Sequence, residues 1–219
     1  MDNEPIFKIT KVHIKKEDRA GFRKEQEAEL ENSIPAEDGT LLFASGHEDA
    51  EGLENYVVEL YRNSKAYEAH SMANYFDYYD KTISQMATEK KVYDLKPEWI
   101  TTKPKESLDA YANNFVIRIA KVEVEDRKHD QFAATVKKEM RRSIAQEPGV
   151  QILMAGTNKE NENEWFFFEV YVNDEAYDKH VKSKWFVDYI KDSKDIVKDK
   201  KINELVRDVM AVQGPIVMD

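Results

Sequence analysis

Residues 61–70 read YRNSKAYEAH, and residues 171–180 read YVNDEAYDKH. The two stretches share Tyr, Asn, Ala, Tyr and His at matching positions, and each is followed six residues later by a phenylalanine, Phe76 and Phe186. Every matched pair lies 110 residues apart. Because solenoid repeats have periods of about 20–50 residues, an offset of this length indicates that each copy is a whole domain.

The same offset holds without a gap along most of the chain. Further pairs at this offset are Ile9 with Ile119, Phe22 with Phe132, Glu29 with Glu139, Glu37 with Glu147, Gly39 with Gly149 and Glu59 with Glu169. The sequence therefore predicts two tandem copies of one unit. We expect residues 1–97 to form the first domain, residues 98–113 a polar, proline-containing linker, and residues 114–219 the second domain.

Within each copy the hydrophobic pattern alternates between strand and helix. Ile6 to Ile14 and Val116 to Val124 alternate and are rich in β-branched residues, which predicts strands. Helices are expected next, over Glu17 to Ser33 and Arg127 to Ser143. The other expected strands are Thr40 to Ser45, Asn55 to Tyr61 and Lys91 to Leu95 in the first copy, and Val150 to Ala155, Trp165 to Tyr171 and Lys201 to Val206 in the second.

A second helix in each copy is expected to begin after Asn63 or Asn173, which are good N-caps. The resulting order, βαββαβ, is that of the ferredoxin-like fold. One such unit leaves a sheet face bare, so the α+β chain is expected to press its two tandem units together as an intrachain pseudo-dimeric α+β barrel. The protein should then be a monomer or a weak homodimer.

Composition restricts the classes of partner. The 219 residues include 41% hydrophobic residues and no Cys, which fits a globular protein without disulfides or thiolate chemistry. The net charge of −10 opposes nucleic-acid binding, which needs a basic surface. No run approaches the roughly 20 apolar residues of a membrane span, and the N-terminus lacks a secretory signal. We expect a cytoplasmic protein that binds neither nucleic acid nor membrane.

The second copy carries a longer motif, Glu164-Trp-Phe-Phe-Phe-Glu-Val-Tyr171 followed by the residues 171–180 quoted above. This motif resembles the antibiotic biosynthesis monooxygenase family, which belongs to the dimeric α+β barrel superfamily. The first copy keeps Glu59 and the residues around His70 but has Asn55 where the motif has Trp165. The resemblance implies cofactor-independent oxidation of phenols or quinols, heme degradation, or action on small signalling molecules, because the family includes all three.

The repeated histidines are the first candidates for chemistry. On one continuous helix, His70 would share a face with Tyr67 and Asn74, as His180 would with Tyr177. A histidine with a pKa near about 6.5 could accept a phenol proton, and the tyrosines could orient the substrate. The same histidines could instead hydrogen-bond helix to sheet as part of the scaffold.

Aromatic residues are the candidates for substrate binding. Trp165 and Phe167 alternate onto one strand face and could line a ring-binding cavity or belong to the core. The other candidates for substrate binding are Asn74, Phe76 and Phe186. Because Asn55 replaces Trp165 in the first copy, the two pockets are expected to differ, and one copy alone could be active.

Two further pairs recur between the copies: Lys11 with Glu59, and Lys121 with Glu169. Each lysine lies on the first expected strand and each glutamate on the third. These strands are neighbours in a ferredoxin-like sheet, so we expect cross-strand ion pairs with a structural role.

No cofactor or metal is expected. The five His are scattered without HExxH spacing, and the 7 Gly form no GxGxxG loop. Heme-binding or heme-degrading function is disfavoured, because heme-degrading relatives carry their ligating His where this chain has Asp80 and Ile190. The leading hypothesis is a cofactor-independent monooxygenase that oxidises a small aromatic quinol or polyphenol with dioxygen. The alternative is a non-catalytic protein that binds a small molecule.

Overall fold

The computed structural model describes residues 4–110 and 114–218, and the chain divides into two compact units. Unit 1 comprises Met1–Leu95 with Leu205–Gly214, and unit 2 comprises Lys96–Glu204 with Pro215–Asp219. Residues 111–113 of the expected linker lie outside the described residues.

Unit 1 follows the βαββαβ order. Its elements are β1 (Ile6–Ile14), α1 (Arg19–Ala36), β2 (Thr40–His47), β3 (Glu54–Tyr61), α2 (Ser64–Ser71), α3 (Asn74–Met86) and the first part of β4 (Ala87–Thr102). The strands pair antiparallel in the order β4-β1-β3-β2. That order is the ferredoxin-like arrangement predicted from the sequence.

Unit 2 repeats this order. After α4 (Lys105–Ala110) come β5 (Val116–Val124), α5 (His129–Gln146), β6 (Val150–Asn158), β7 (Asn161–Tyr171), α6 (Asp174–His180), α7 (Lys184–Ser193), β8 (Val197–Val212) and β9 (Val217–Met218). The strand order β8-β5-β7-β6 matches that of unit 1. The prediction of tandem ferredoxin-like α+β units is therefore confirmed.

The helices of each unit pack on one face of its sheet. In unit 1 the apolar cluster joins Phe22 of α1 and Ile83 of α3 to Val57 of β3. In unit 2 the corresponding cluster joins Phe132 of α5 to Phe167 of β7. Among the described residues, none of the helices is both long and apolar enough to cross a membrane.

The fourth strand of each unit is longer than predicted. The sequence indicates strands over Lys91 to Leu95 and Lys201 to Val206, whereas β4 and β8 are each 16 residues long. Pro97 and the polar residues beside it suggest a linker because proline cannot donate a strand hydrogen bond. The segment after Pro97 nevertheless buries Trp99 in the core of unit 2, and the end of β8, from Val206 to Val212, pairs with β2 in unit 1.

The second helix of each copy is broken. Asn63 and Asn173 cap α2 and α6 as predicted, since their Oδ1 atoms accept from the backbone N–H groups of Ala66 and Ala176 at 3.0 and 2.9 Å. The helix then ends at Ser71, and α3 begins at Asn74. The expectation of one continuous helix carrying both His70 and Asn74 is wrong, because Ala73 between them has an extended backbone.

Candidate functional site

Each unit contains a cavity between its sheet and its helices. The walls come from equivalent positions of the two copies. In unit 1 they include Thr10, Val57, Glu59, Tyr67, Phe76 and Tyr79. In unit 2 they include Ala120, Phe167, Glu169, Tyr177, Phe186 and Tyr189.

The two cavities differ in size. The cavity of unit 1 has a volume of about 120 Å³ and that of unit 2 about 30 Å³. Phe167 stands where unit 1 has Val57, and its larger side chain fills the space. An engineered cavity of about 150 Å³ admits benzene, whereas about 10–15 Å³ suffices for a water molecule. The cavity of unit 1 is therefore close to the size that one aromatic ring needs, and that of unit 2 is large enough only for water.

Trp165 lies in the core of unit 2, fully buried, instead of lining the cavity. Its ring stacks on Phe167 at 6.2 Å between centroids and meets Phe132 edge to face at 5.0 Å. In unit 1 the equivalent Asn55 donates to the carbonyl of Gly52 at 2.9 Å. The difference at this position thus changes the packing behind the cavity.

A carboxylate faces the cavity in each unit. Glu59 of unit 1 accepts a hydrogen bond from the Tyr61 hydroxyl at 2.6 Å, and Glu169 accepts one from Tyr171 at 2.8 Å. Burial and the neighbouring Glu59 charge raise the pKa of Tyr61 well above its ordinary value, so this hydroxyl remains a donor. Because a carboxylate has about four lone-pair sites, Glu59 retains acceptor capacity toward a ligand.

The register between the first and third strands corrects the predicted ion pairs. Strands β1 and β3 are neighbours as expected, but Lys11 lies opposite Tyr56 and not Glu59. Its Nζ pairs with Glu54 at 3.0 Å, and Lys121 likewise pairs with Glu164 at 2.8 Å. Lys8 is the residue opposite Glu59, and it lines the cavity. A repeat offset identifies equivalent residues but carries no information on cross-strand register.

The repeated histidines lie behind the cavity wall. His70 is fully buried, with its ring 4.5 Å from Phe76 and 5.0 Å from Tyr61 between centroids. Its Nδ1 is 3.0 Å from a carboxylate oxygen of Glu37, and its Nε2 is 3.6 Å from Glu29. The structure brings Tyr67 and Phe76 to the cavity of unit 1, while Asn74 is exposed at the start of α3.

The same arrangement occurs in unit 2. His180 is buried, with Nδ1 at 3.2 Å from Glu147 and Nε2 at 3.9 Å from Glu139. Burial alone would lower the pKa of His180, but the hydrogen bond to Glu147 and the charges of Glu169 and Glu139 raise it above its ordinary value. Burial raises the pKa of Glu139 to about 7, although His180 acts in the opposite direction.

In unit 1 the pKa of Glu29, the counterpart of Glu139, is raised further. Burial, followed by the charges of Glu59 and Glu37, raises the pKa of Glu29 to about 8. Sequence reasoning passed over Glu29, Glu37 and Glu59 as catalytic candidates. The available signal was that each recurs at the 110-residue offset, and that Glu139, the counterpart of Glu29, lies beside the apolar stripe of its helix, where a carboxylate is costly to bury.

This perturbation predicts a dependence of folding stability on pH. Folded Glu29 holds its proton up to about pH 8, whereas the unfolded chain releases it near its ordinary pKa of about 4.3. The stabilisation that protonated Glu29 provides is therefore fully present below its pKa in the unfolded chain. It is lost by the time the pH has risen through its pKa in the folded protein. Glu29→Gln, which mimics the protonated acid, should flatten the curve of unfolding free energy between pH 5 and 8 by up to about 1.4 kcal/mol per pH unit.

Urea unfolding at several pH values measures this dependence. The matched control is Glu31→Gln, an exposed position on the same helix, which should leave the slope unchanged. A Glu29→Gln slope equal to that of the wild type would show that Glu29 is ionised in the folded protein at neutral pH.

Comparison with known proteins finds the same family that the sequence motif resembles. The model of the antibiotic biosynthesis monooxygenase family matches residues 5–79 and 115–192. A candidate monooxygenase from Lactobacillus acidophilus is 47% identical, with a TM-score of 0.92 over 99% of this chain and 100% of that chain. A second, from Fusobacterium nucleatum, is 25% identical, with a TM-score of 0.89 over 100% and 99%. An anthrone oxidase-like protein, 9% identical over 96% and 94% with a TM-score of 0.65, shares the fold. No curated protein matches the chain.

Proposed function

Because the chain belongs to the antibiotic biosynthesis monooxygenase family, we propose that it oxidises a single-ring quinol or polyphenol with dioxygen in the cavity of unit 1, without a bound cofactor. The observation that carries this proposal is the cavity of about 120 Å³ with the Glu59 carboxylate in its wall. The relatives described as candidate monooxygenases support the reaction class, and the volume supports the size of the substrate.

The reaction needs a base and a way to stabilise an anion. Glu59 accepts the phenol proton, and the resulting phenolate is electron-rich enough to reduce dioxygen. Lys8 and Lys90 line the same cavity, each paired with an aspartate at 2.6 Å, and supply positive charge near the phenolate oxygen. Tyr67, half-buried in the cavity wall, supplies a hydroxyl that orients the ring.

The electrons balance without an added reductant. One oxygen atom of dioxygen replaces a ring hydrogen, the other leaves as water, and the substrate supplies all the electrons. A 1,4-quinol and one dioxygen thus give a hydroxyquinone and one water. This balance allows the protein to act by positioning the substrate, removing its proton and excluding solvent.

An oxygen electrode tests this function directly. Purified protein is expected to take up oxygen with single-ring quinols and to leave three-ring quinols at the rate of the buffer alone, because a fused tricycle exceeds the cavity. Thermal shift with the same compounds measures binding separately. Binding of the single-ring quinols without oxygen uptake would favour a non-catalytic binding protein, and uptake with three-ring quinols would contradict the assignment of the cavity.

A further inference from the structure

A buried histidine joins two carboxylates of different exposure in unit 1. Glu29, at the inner end, is 2% exposed and interacts with the Ser33 hydroxyl, as Glu139 accepts from Ser143 in unit 2. His70 Nε2 has no hydrogen-bond partner among the described residues, and it lies 3.6 Å from Glu29 Oε1, slightly beyond hydrogen-bond range. Buried polar atoms left unpaired are rare and call for an explanation. Contacts that tighten only when a reaction proceeds are one such explanation.

The outer end of the chain reaches the surface. Glu37 lies at the C-terminal end of α1, with 14% of its side chain exposed, and its carboxylate accepts hydrogen bonds from Tyr75 and Thr40. In unit 2 the equivalent Glu147 lines a surface groove of about 340 Å³. The outer carboxylate is therefore placed to exchange protons with solvent.

The inner end lies toward the cavity. In unit 2, Glu139 lines the cavity together with Glu169. In unit 1 the equivalent Glu29 lies behind the residues that line the cavity, and after burial the charge of Glu59, a lining residue, is the next largest cause that raises the pKa of Glu29. The same three residue types, glutamate, histidine and glutamate, thus recur in both units between a buried position and the surface.

From this geometry we propose that Glu29, His70 and Glu37 form a proton relay that carries the proton released in the unit 1 cavity out to solvent. The relay rests on the proposed function for its proton source. Glu59, once protonated by the substrate, passes that proton to Glu29 as Glu29 donates its own to His70 Nε2. The proton on Nδ1 passes to Glu37, which releases it to solvent, so one proton moves outward and His70 carries one proton before and after the step. Return of the ring from the Nε2-protonated to the Nδ1-protonated tautomer completes the cycle. His70 acts through its neighbours and does not touch the substrate.

The groups that face His70 fit this role. They are Glu29 from α1, Glu37 after α1, Tyr61 from β3 and Tyr75 from α3, with Glu59 acting on Glu29 through its charge. The pKa values of both tyrosines are raised, by burial first and then by neighbouring glutamates, so they remain protonated and do not compete for the relayed proton.

Oxygen uptake with a single-ring quinol between pH 6 and 9 tests the relay. His70→Gln should lower kcat by about 10- to 100-fold with KM changed by less than about twofold, because the ring passes a proton and does not touch the substrate. The matched control His13→Gln replaces another histidine of unit 1 that pairs with a glutamate, at 2.5 Å, and should retain the wild-type rate. A loss in His70→Gln that raises KM as much as it lowers kcat, or an unchanged kcat, would overturn the relay.

Nitrogen NMR of the resting protein gives a readout that does not require turnover. The relay requires the resting His70 ring to carry its proton on Nδ1, toward Glu37, and to leave Nε2 bare to accept from Glu29. A resting ring that carries its proton on Nε2 and leaves Nδ1 bare would overturn the relay. Absence of oxygen uptake by the wild type, with the Nδ1-protonated ring present, would instead refute the proposed function and leave the order of donors and acceptors along this chain of residues intact.

Discussion

Replacing Glu59 by glutamine is expected to slow oxygen uptake by about 10²–10⁴-fold, the usual contribution of a positioned general base. The amide keeps the size of the carboxylate and can still accept from the Tyr61 hydroxyl, which lies 2.6 Å from Glu59. Substrate affinity should therefore change little. Oxygen-electrode assays under saturating quinol, with thermal shift for binding, separate the two effects.

The equivalent substitution in unit 2 is the matched control. Glu169→Gln alters the same type of residue with the same tyrosine partner, but in a cavity of about 30 Å³ that has no room for a ring. It should leave oxygen uptake at the wild-type rate. Equal losses in both variants would mean that both units work, and no loss in Glu59→Gln would remove this residue from the reaction.

Replacing Val57 by the larger residue found at the same position of unit 2 should have the second large effect on oxygen uptake. In Val57→Phe the added ring occupies most of the 120 Å³ cavity, as Phe167 does in unit 2, so ligand binding and oxygen uptake should both fall to background. The substitution adds volume to a buried site and is expected to cost about 1–3 kcal/mol of stability. Thermal unfolding of the variant confirms that the protein is folded under assay conditions.

The reverse change, Phe167→Val, should open the cavity of unit 2. Its cost is also expected to be about 1–3 kcal/mol, since it removes buried ring atoms beside Trp165. We expect a second ligand site per chain, detected by titration with a single-ring quinol. Retention of activity in Val57→Phe would show that the cavity volume of unit 1 does not control access.

The fold was predictable from sequence because it rests on repetition and local patterns. An ungapped offset over most of the chain reveals two equal units, the period of the apolar residues separates strand from helix, and Asn63 and Asn173 mark helix starts by a local hydrogen bond. Each of these signals is read from the order of the residues alone, and none requires knowledge of tertiary contacts.

The site was less predictable because it depends on contacts between distant residues. Cross-strand register places Lys8, and not Lys11, opposite Glu59. The helix break at Ala73 moves Asn74 away from His70, and the strand continuing beyond Pro97 is stabilised by burial of Trp99. The exchange of Val57 for Phe167 is one of several differences between the linings of the two cavities, and its effect on volume appears only once both cores are packed.

The most direct test of the central claim is a calorimetric titration of the wild-type chain with a single-ring quinol in the absence of oxygen. The cavity of unit 1 accepts one ring and that of unit 2 is filled by Phe167, so the expected stoichiometry is one quinol per chain, falling to none in Val57→Phe. Two equivalent sites per chain, or one site that persists in Val57→Phe, would contradict the assignment of the substrate to unit 1.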